Sequence, residues 1–123
     1  MKKIKSLIFI VILLSSFNIK SQNTSDTRLL SSPAVSKNSI AFIYAEDLWI
    51  ANKNGSNPHR LTIDEGIESN PVFSPDGSMI AFSAEYDGNT DVFIIPSKGG
   101  VPKRLTWHPS WDIVRDFTPD GGV

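Results

Sequence analysis

The residues able to do chemistry are few and scattered along the chain. Histidine occurs only at His59 and His108, 49 positions apart, and cysteine does not occur at all. Two histidines without thiolates fall short of the four ligands of a structural zinc site. Neither histidine has a nucleophile to serve as base, because no Gly-x-Ser-x-Gly elbow is present anywhere. Asp87, Asn89 and Asp91 have the one-three-five spacing with which a calcium loop begins. Val92 stands where that loop needs glycine and Lys98 where it needs a bidentate glutamate, so the spacing predicts a hairpin turn. Asp64, Glu65 and Glu68 form an acidic cluster that reads as a solvated loop. The sequence assigns no catalytic, cofactor-binding or metal-binding residue to this chain.

The elements that would position any site are repeats, and repetition is the strongest signal in the sequence. Ile40-Ala41-Phe42 returns as Ile80-Ala81-Phe82, Asp47-Leu48-Trp49-Ile50 as Asp91-Val92-Phe93-Ile94, and Arg60-Leu61-Thr62 as Arg104-Leu105-Thr106. The offsets are 40, 44 and 44 residues, which places a four-residue insertion of the second copy within Glu85 to Thr90. A third copy opens where Phe73-Ser74-Pro75-Asp76-Gly77 recurs as Phe117-Thr118-Pro119-Asp120-Gly121. Arg60 and Arg104 therefore recur as parts of the repeat, and Trp49 aligns with Phe93, which marks it as core.

Each copy is a run of short segments rich in Ile, Val, Phe and Trp, bounded by Pro, Gly, Asn and Asp, as strands are. In the second copy the spacing predicts strands at 71–74, 79–85, 91–96 and 102–106. Pro75-Asp76-Gly77 supplies the first reversal, Asp87-Gly88 the second and the Ser97-Lys98-Gly99-Gly100 stretch the third. Ile40, Phe42 and Tyr44 alternate with Ala41, Ile43 and Ala45, so both faces of the inner strands are apolar. Antiparallel four-stranded units of this period, buried on both sides, are those of a β-propeller. The fold class is all-β, with about two and a half blades of an incomplete propeller.

The N-terminus bears on compartment. Lys2, Lys3 and Lys5 precede an uncharged apolar run from Leu7 to Leu14, the pattern of a secretory signal peptide over residues 1–21. The run is short of the about 20 residues a spanning helix needs, so no stable membrane anchor is expected. Residues 22–123 hold eight basic and thirteen acidic side chains, a net charge of −5 and the wrong sign for nucleic acid. The domain organisation is a leader at 1–21 and the N-terminal part of a truncated propeller at 22–123, exported to a periplasm.

Blades with a Phe-Ser-Pro-Asp-Gly turn are shared by TolB-type propellers, prolyl-oligopeptidase-type peptidases and tricorn proteases. Two segments are more telling. Ala45-Glu46-Asp47-Leu48-Trp49 resembles the first blade of tricorn-like proteins. The stretch from Glu85 to Phe93, followed by Gly99-Gly100 and by Pro102 to Pro109, is similar to the second blade of bacterial tricorn homologues. The resemblance covers about residues 28–121. It implies a much longer parent with two propellers, a PDZ-like module and a serine peptidase core acting on oligopeptides, with this segment in a structural and substrate-gating role. It also leaves room for a homo-oligomeric parent. A TolB-like protein-binding module and the lid of a prolyl-oligopeptidase-type hydrolase remain as alternatives.

Overall fold

The computed structural model describes residues 30–123, so the leader read over residues 1–21 lies outside the described residues. Eight strands form two four-stranded antiparallel sheets in simple meander order. The first holds β1 (Leu30–Val35), β2 (Ser39–Tyr44), β3 (Asp47–Asn52) and β4 (His59–Arg60). The second holds β5 (Ile67–Phe73), β6 (Met79–Glu85), β7 (Thr90–Pro96) and β8 (Lys103–Arg104). These are the two blades expected from the repeat.

Register explains the insertion. In the first sheet Tyr44 pairs with Asp47 across a two-residue turn, Ala45-Glu46. In the second, Ala84 pairs with Asp91, one more pair follows at Glu85 and Thr90, and the loop has four residues. One extra ladder pair and two extra loop residues make up the four. Ala45 (φ 50°) and Glu46 (φ 72°) both adopt positive φ, as a type I′ hairpin turn demands. The turn thus forms without the Asn or Gly that would have announced it.

Three expectations need correction. Strand β5 begins at Ile67 rather than Pro71, because a bulge between Ser69 and Val72, with Asn70 at φ 50°, lets the strand run through the proline. The same bulge occurs in β1, where Ser32 at φ 49° precedes Pro33. The last strand contributes only Lys103 and Arg104 to the ladder. Ala45 leaves the strand for the turn, and Ile40, Phe42 and Tyr44 are half-exposed rather than covered.

The core lies between the sheets. Ala41, Ile43, Leu48 and Ile50 of the first meet Ile80, Phe82, Ala84, Phe93 and Ile95 of the second. Phe82 and Phe93 stack with centroids 5.9 Å apart. Strands β6 and β7 are enclosed on both faces, since Ala81 of β6 and Val92 of β7 on the far side pack against Val114, Val72, Leu105 and Phe117. Residues 111–117, the start of the third copy, therefore already lie on the second sheet. By repeat alignment, Ile40, Phe42, Tyr44 and Trp49 form the same kind of face that the second sheet buries with Ile80, Phe82, Ala84 and Phe93. On the first sheet that face carries an apolar groove of about 270 Å³ lined by Leu30, Ser31, Pro33, Ile40 and Phe42.

The Ser-Pro-Asp-Gly turn closes β5 onto β6 by a side-chain clasp. Asp76 Oδ1 accepts from Ser74 Oγ at 2.6 Å, from Ser78 N at 3.0 Å and from Ser78 Oγ at 2.8 Å. Gly77, at φ 74°, donates its N–H to Ser74 O at 2.8 Å. These donors, Ser74 first, hold the exposed Asp76 carboxyl down at about 2. The third copy repeats the clasp, with Thr118 Oγ1 donating to Asp120 Oδ1 at 2.5 Å and Gly121 N to Thr118 O at 2.9 Å.

Candidate functional site

The residues singled out in the sequence do not converge. His59 is exposed on β4 with Nδ1 donating to Asn57 O at 3.0 Å. His108 is exposed in the segment after β8, and its Nδ1 accepts from Ser110 N at 3.2 Å. Of the trio with calcium-loop spacing, Asn89 donates its amide to His108 O at 2.8 Å. Asp91 is buried and pairs with Arg104 Nη2 at 2.5 Å. Asp87 is exposed and stands 3.5 Å from Arg104 Nη1. The trio serves the hairpin and its flanking ion pair, in keeping with the turn expected from the spacing. Among the described residues no group of three or more His, Cys, Asp or Glu is placed to hold a metal.

Arg60 and Arg104 do repeat each other's role. Arg60 Nη1 reaches Asp47 Oδ2 at 3.0 Å, the pair equivalent to Arg104 and Asp91 one blade later. Arg104 also lies 5.8 Å over the Trp107 ring and donates Nε to Thr106 O at 2.8 Å. Both arginines tie the outer strand of a blade to the strand beside it.

The buried polar cluster around Glu68 was misread in the sequence. Asp64 and Glu65 are exposed loop residues, but Glu68 lies in β5 at 2% exposure. Its Oε2 accepts from Leu48 N at 2.6 Å and from Thr62 Oγ1 at 2.6 Å, and its Oε1 from Tyr86 Oη at 2.5 Å. Its own N–H donates to Glu46 O at 3.0 Å. Glu68 thus joins the second sheet to β3, to the turn at Glu46 and to the link after β4. Gly66 makes room for this arrangement, since a Cβ there would stand 2.3 Å from Glu85 O and 2.8 Å from Tyr86 Cδ1. The readable signal was positional: Thr62 precedes Glu68 by six residues, and Thr106 precedes Asp112 by six.

Burial pushes the Glu68 carboxyl above its ordinary value of 4.5, and the three donors and nearby Asp47 only modify that outcome. Burial and the Glu68 charge likewise push the Tyr86 phenol far up. A carboxyl raised on folding binds its proton more tightly in the folded state. Its stabilisation is therefore complete below about 4.5 and lost as pH rises through the raised folded value. Asp76 and Asp120, held low, act in the opposite sense and only at more acidic pH. We expect the urea midpoint to fall as pH rises from about 4.5 toward neutrality, and Glu68→Gln to flatten that slope. An unchanged slope in the variant would mean that another group carries it.

The model of the tricorn protease N-terminal β-propeller domain matches residues 27–123. The chain belongs to the tricorn protease N-terminal propeller family. It is 36% identical over 85 residues to Tricorn protease homolog 1 of Streptomyces coelicolor, covering 68% of this chain and 8% of that protein. To a tricorn-like protease N-terminal subunit of Sulfurisphaera tokodaii it is 32% identical over 82 residues, covering 63% of this chain and 41% of that one. The crystal structure of the tricorn protease superposes at a TM-score of 0.65 and 25% identity, over 76% of this chain and 10% of that one. TolB from Acinetobacter baumannii shares the fold at a TM-score of 0.63 and 23% identity, over 73% and 24%. The tricorn-type chain therefore spans less than a tenth of the Streptomyces relative's length.

Proposed function

We propose that this chain serves as the opening blades of a propeller in a tricorn-like serine peptidase that degrades oligopeptides, and that it shapes and gates passage rather than cutting bonds. The observation carrying this reading is the match of residues 27–123 to the tricorn N-terminal propeller, on two sheets packed as neighbouring blades. Acyl transfer needs a nucleophile, a base within hydrogen-bond reach and an oxyanion site. His59 and His108 are both exposed and each bonds nearby backbone through Nδ1. In this reading the nucleophile, base and oxyanion site are supplied by another part of the polypeptide or by a separate chain. The Lys-rich leader supports export, with removal of about 20 residues on the way to the periplasm.

Reading the gene beyond the codon for Val123 tests the assignment. A PDZ-like module and a serine peptidase core support it. Blades alone would favour a TolB-like binding module, a reading kept because a TolB homolog of Chlorobium luteolum is 34% identical over 56 residues. An α/β-hydrolase domain would make the propeller a lid.

A further inference from the structure

The repeat places an acid at the same point of two successive blade junctions and lets only one of them reach across. Glu68 N donates to Glu46 O at 3.0 Å, and 44 residues on Asp112 N donates to Thr90 O at 2.8 Å, so the backbone at both junctions is docked alike. At the first junction the Thr62 hydroxyl donates to the Glu68 carboxylate of the neighbouring blade, which also accepts from Leu48 N. At the second, Thr106 Oγ1 still accepts from Val92 N at 3.0 Å, but its hydroxyl turns to Asp91 Oδ1 of its own blade at 3.3 Å. Asp112 has one methylene fewer than Glu68, and among the described residues its carboxylate makes no hydrogen bond across the junction.

We propose that the acid six residues after each Arg-Leu-Thr is an inter-blade clamp, closed at the first junction by Glu68 and left open at the second by the shorter Asp112. The second junction is then a seam without the side-chain tie that joins the first two blades. The seam is held by backbone and packing: Asp112 N donates to Thr90 O at 2.8 Å, Val114 N to Ser83 Oγ at 2.9 Å and the Asn89 amide to His108 O at 2.8 Å, and the Val114 and Phe117 side chains pack on the second sheet. The proposal depends on the repeat geometry and stands apart from the peptidase reading.

Amide hydrogen exchange in the full chain tests it, read as protection factors so that intrinsic rates cancel. The reporters are the equivalent amides of residues 68 and 112, with Val114 as a second reporter of the seam. In the unaltered chain residue 68 should be the better protected. Asp112→Glu should raise protection at residues 112 and 114 about tenfold, the order expected for one added hydrogen bond to a carboxylate. Asp112→Asn, which changes charge without adding length, should leave both as they were. Glu68→Asp should bring residue 68 down toward the level of residue 112 while Ile80 and Phe82 stay protected. Because the Asp112 variants alter a half-exposed side chain, they report even where Glu68→Asp unfolds the chain. Unchanged protection at residues 112 and 114 in Asp112→Glu, or an equal rise in Asp112→Asn, would overturn the clamp.

Discussion

Phe82→Ala is expected to remove about 3–5 kcal/mol of stability, the order of the whole margin of a small domain. Phe82 is fully enclosed at the middle of β6. It stacks on Phe93 across one ladder and packs among the aliphatic side chains facing it from the first sheet. Truncation loses the burial of the ring and leaves a cavity between two hydrogen-bonded sheets, which relax onto it only in part. The variant should lose its near-UV dichroism and its cooperative urea transition. Trp111→Ala, at a side chain 77% exposed, should change stability by less than about 0.5 kcal/mol. Equal losses in the two variants would mean that the sheets do not pack on each other as described.

Glu68→Ala is expected to destabilise by about 3 kcal/mol, lowering Tm by more than about 10 °C in a chain of this size. The carboxylate accepts from Leu48 N, Thr62 Oγ1 and Tyr86 Oη, and all three donors would lose a partner inside the protein. Leu48 N keeps its second acceptor, Thr62 Oγ1 at 3.0 Å, so the loss falls mainly on the two hydroxyls. Relief of the burial penalty on the charge offsets part of it, which is why the figure stays well below the sum of three bonds. A Glu68→Gln and Tyr86→Phe double-mutant cycle should return a coupling above about 0.5 kcal/mol. A Glu68→Ala variant as stable as the parent would restore the solvated-loop reading of this acid.

The fold was legible because a propeller writes its geometry into the chain several times over. Ile40-Ala41-Phe42 and its second copy fixed β2 and β6, and β6 runs over Met79–Glu85, the span the sequence predicts. Non-local packing was less legible. The Ala45-Glu46 turn has none of the residues that favour positive φ, and its shape follows from the strands that it joins and from Glu68 N bonding Glu46 O. The sequence places the strand start at Pro71, and proline cannot donate to a ladder, yet a bulge carries the strand through it from Ile67. Glu68 was lost among its neighbours Asp64 and Glu65, since one carboxylate in a polar stretch looks like another until the chain folds. Comparison of Glu68 with Asp112 at the repeat offset is the signal that would have separated it.

The reading of this chain as a gating part without chemistry of its own rests most directly on one assay. Hydrolysis of fluorogenic short peptides is to be compared between the purified chain and the polypeptide extended through the downstream gene. The account predicts no turnover by the chain, serine-reagent-sensitive turnover by the extended protein, and a change within about a few-fold when His59 or His108 of the latter becomes alanine. Serine-reagent-sensitive turnover by the chain itself, abolished by replacing one of its own serines, would contradict it.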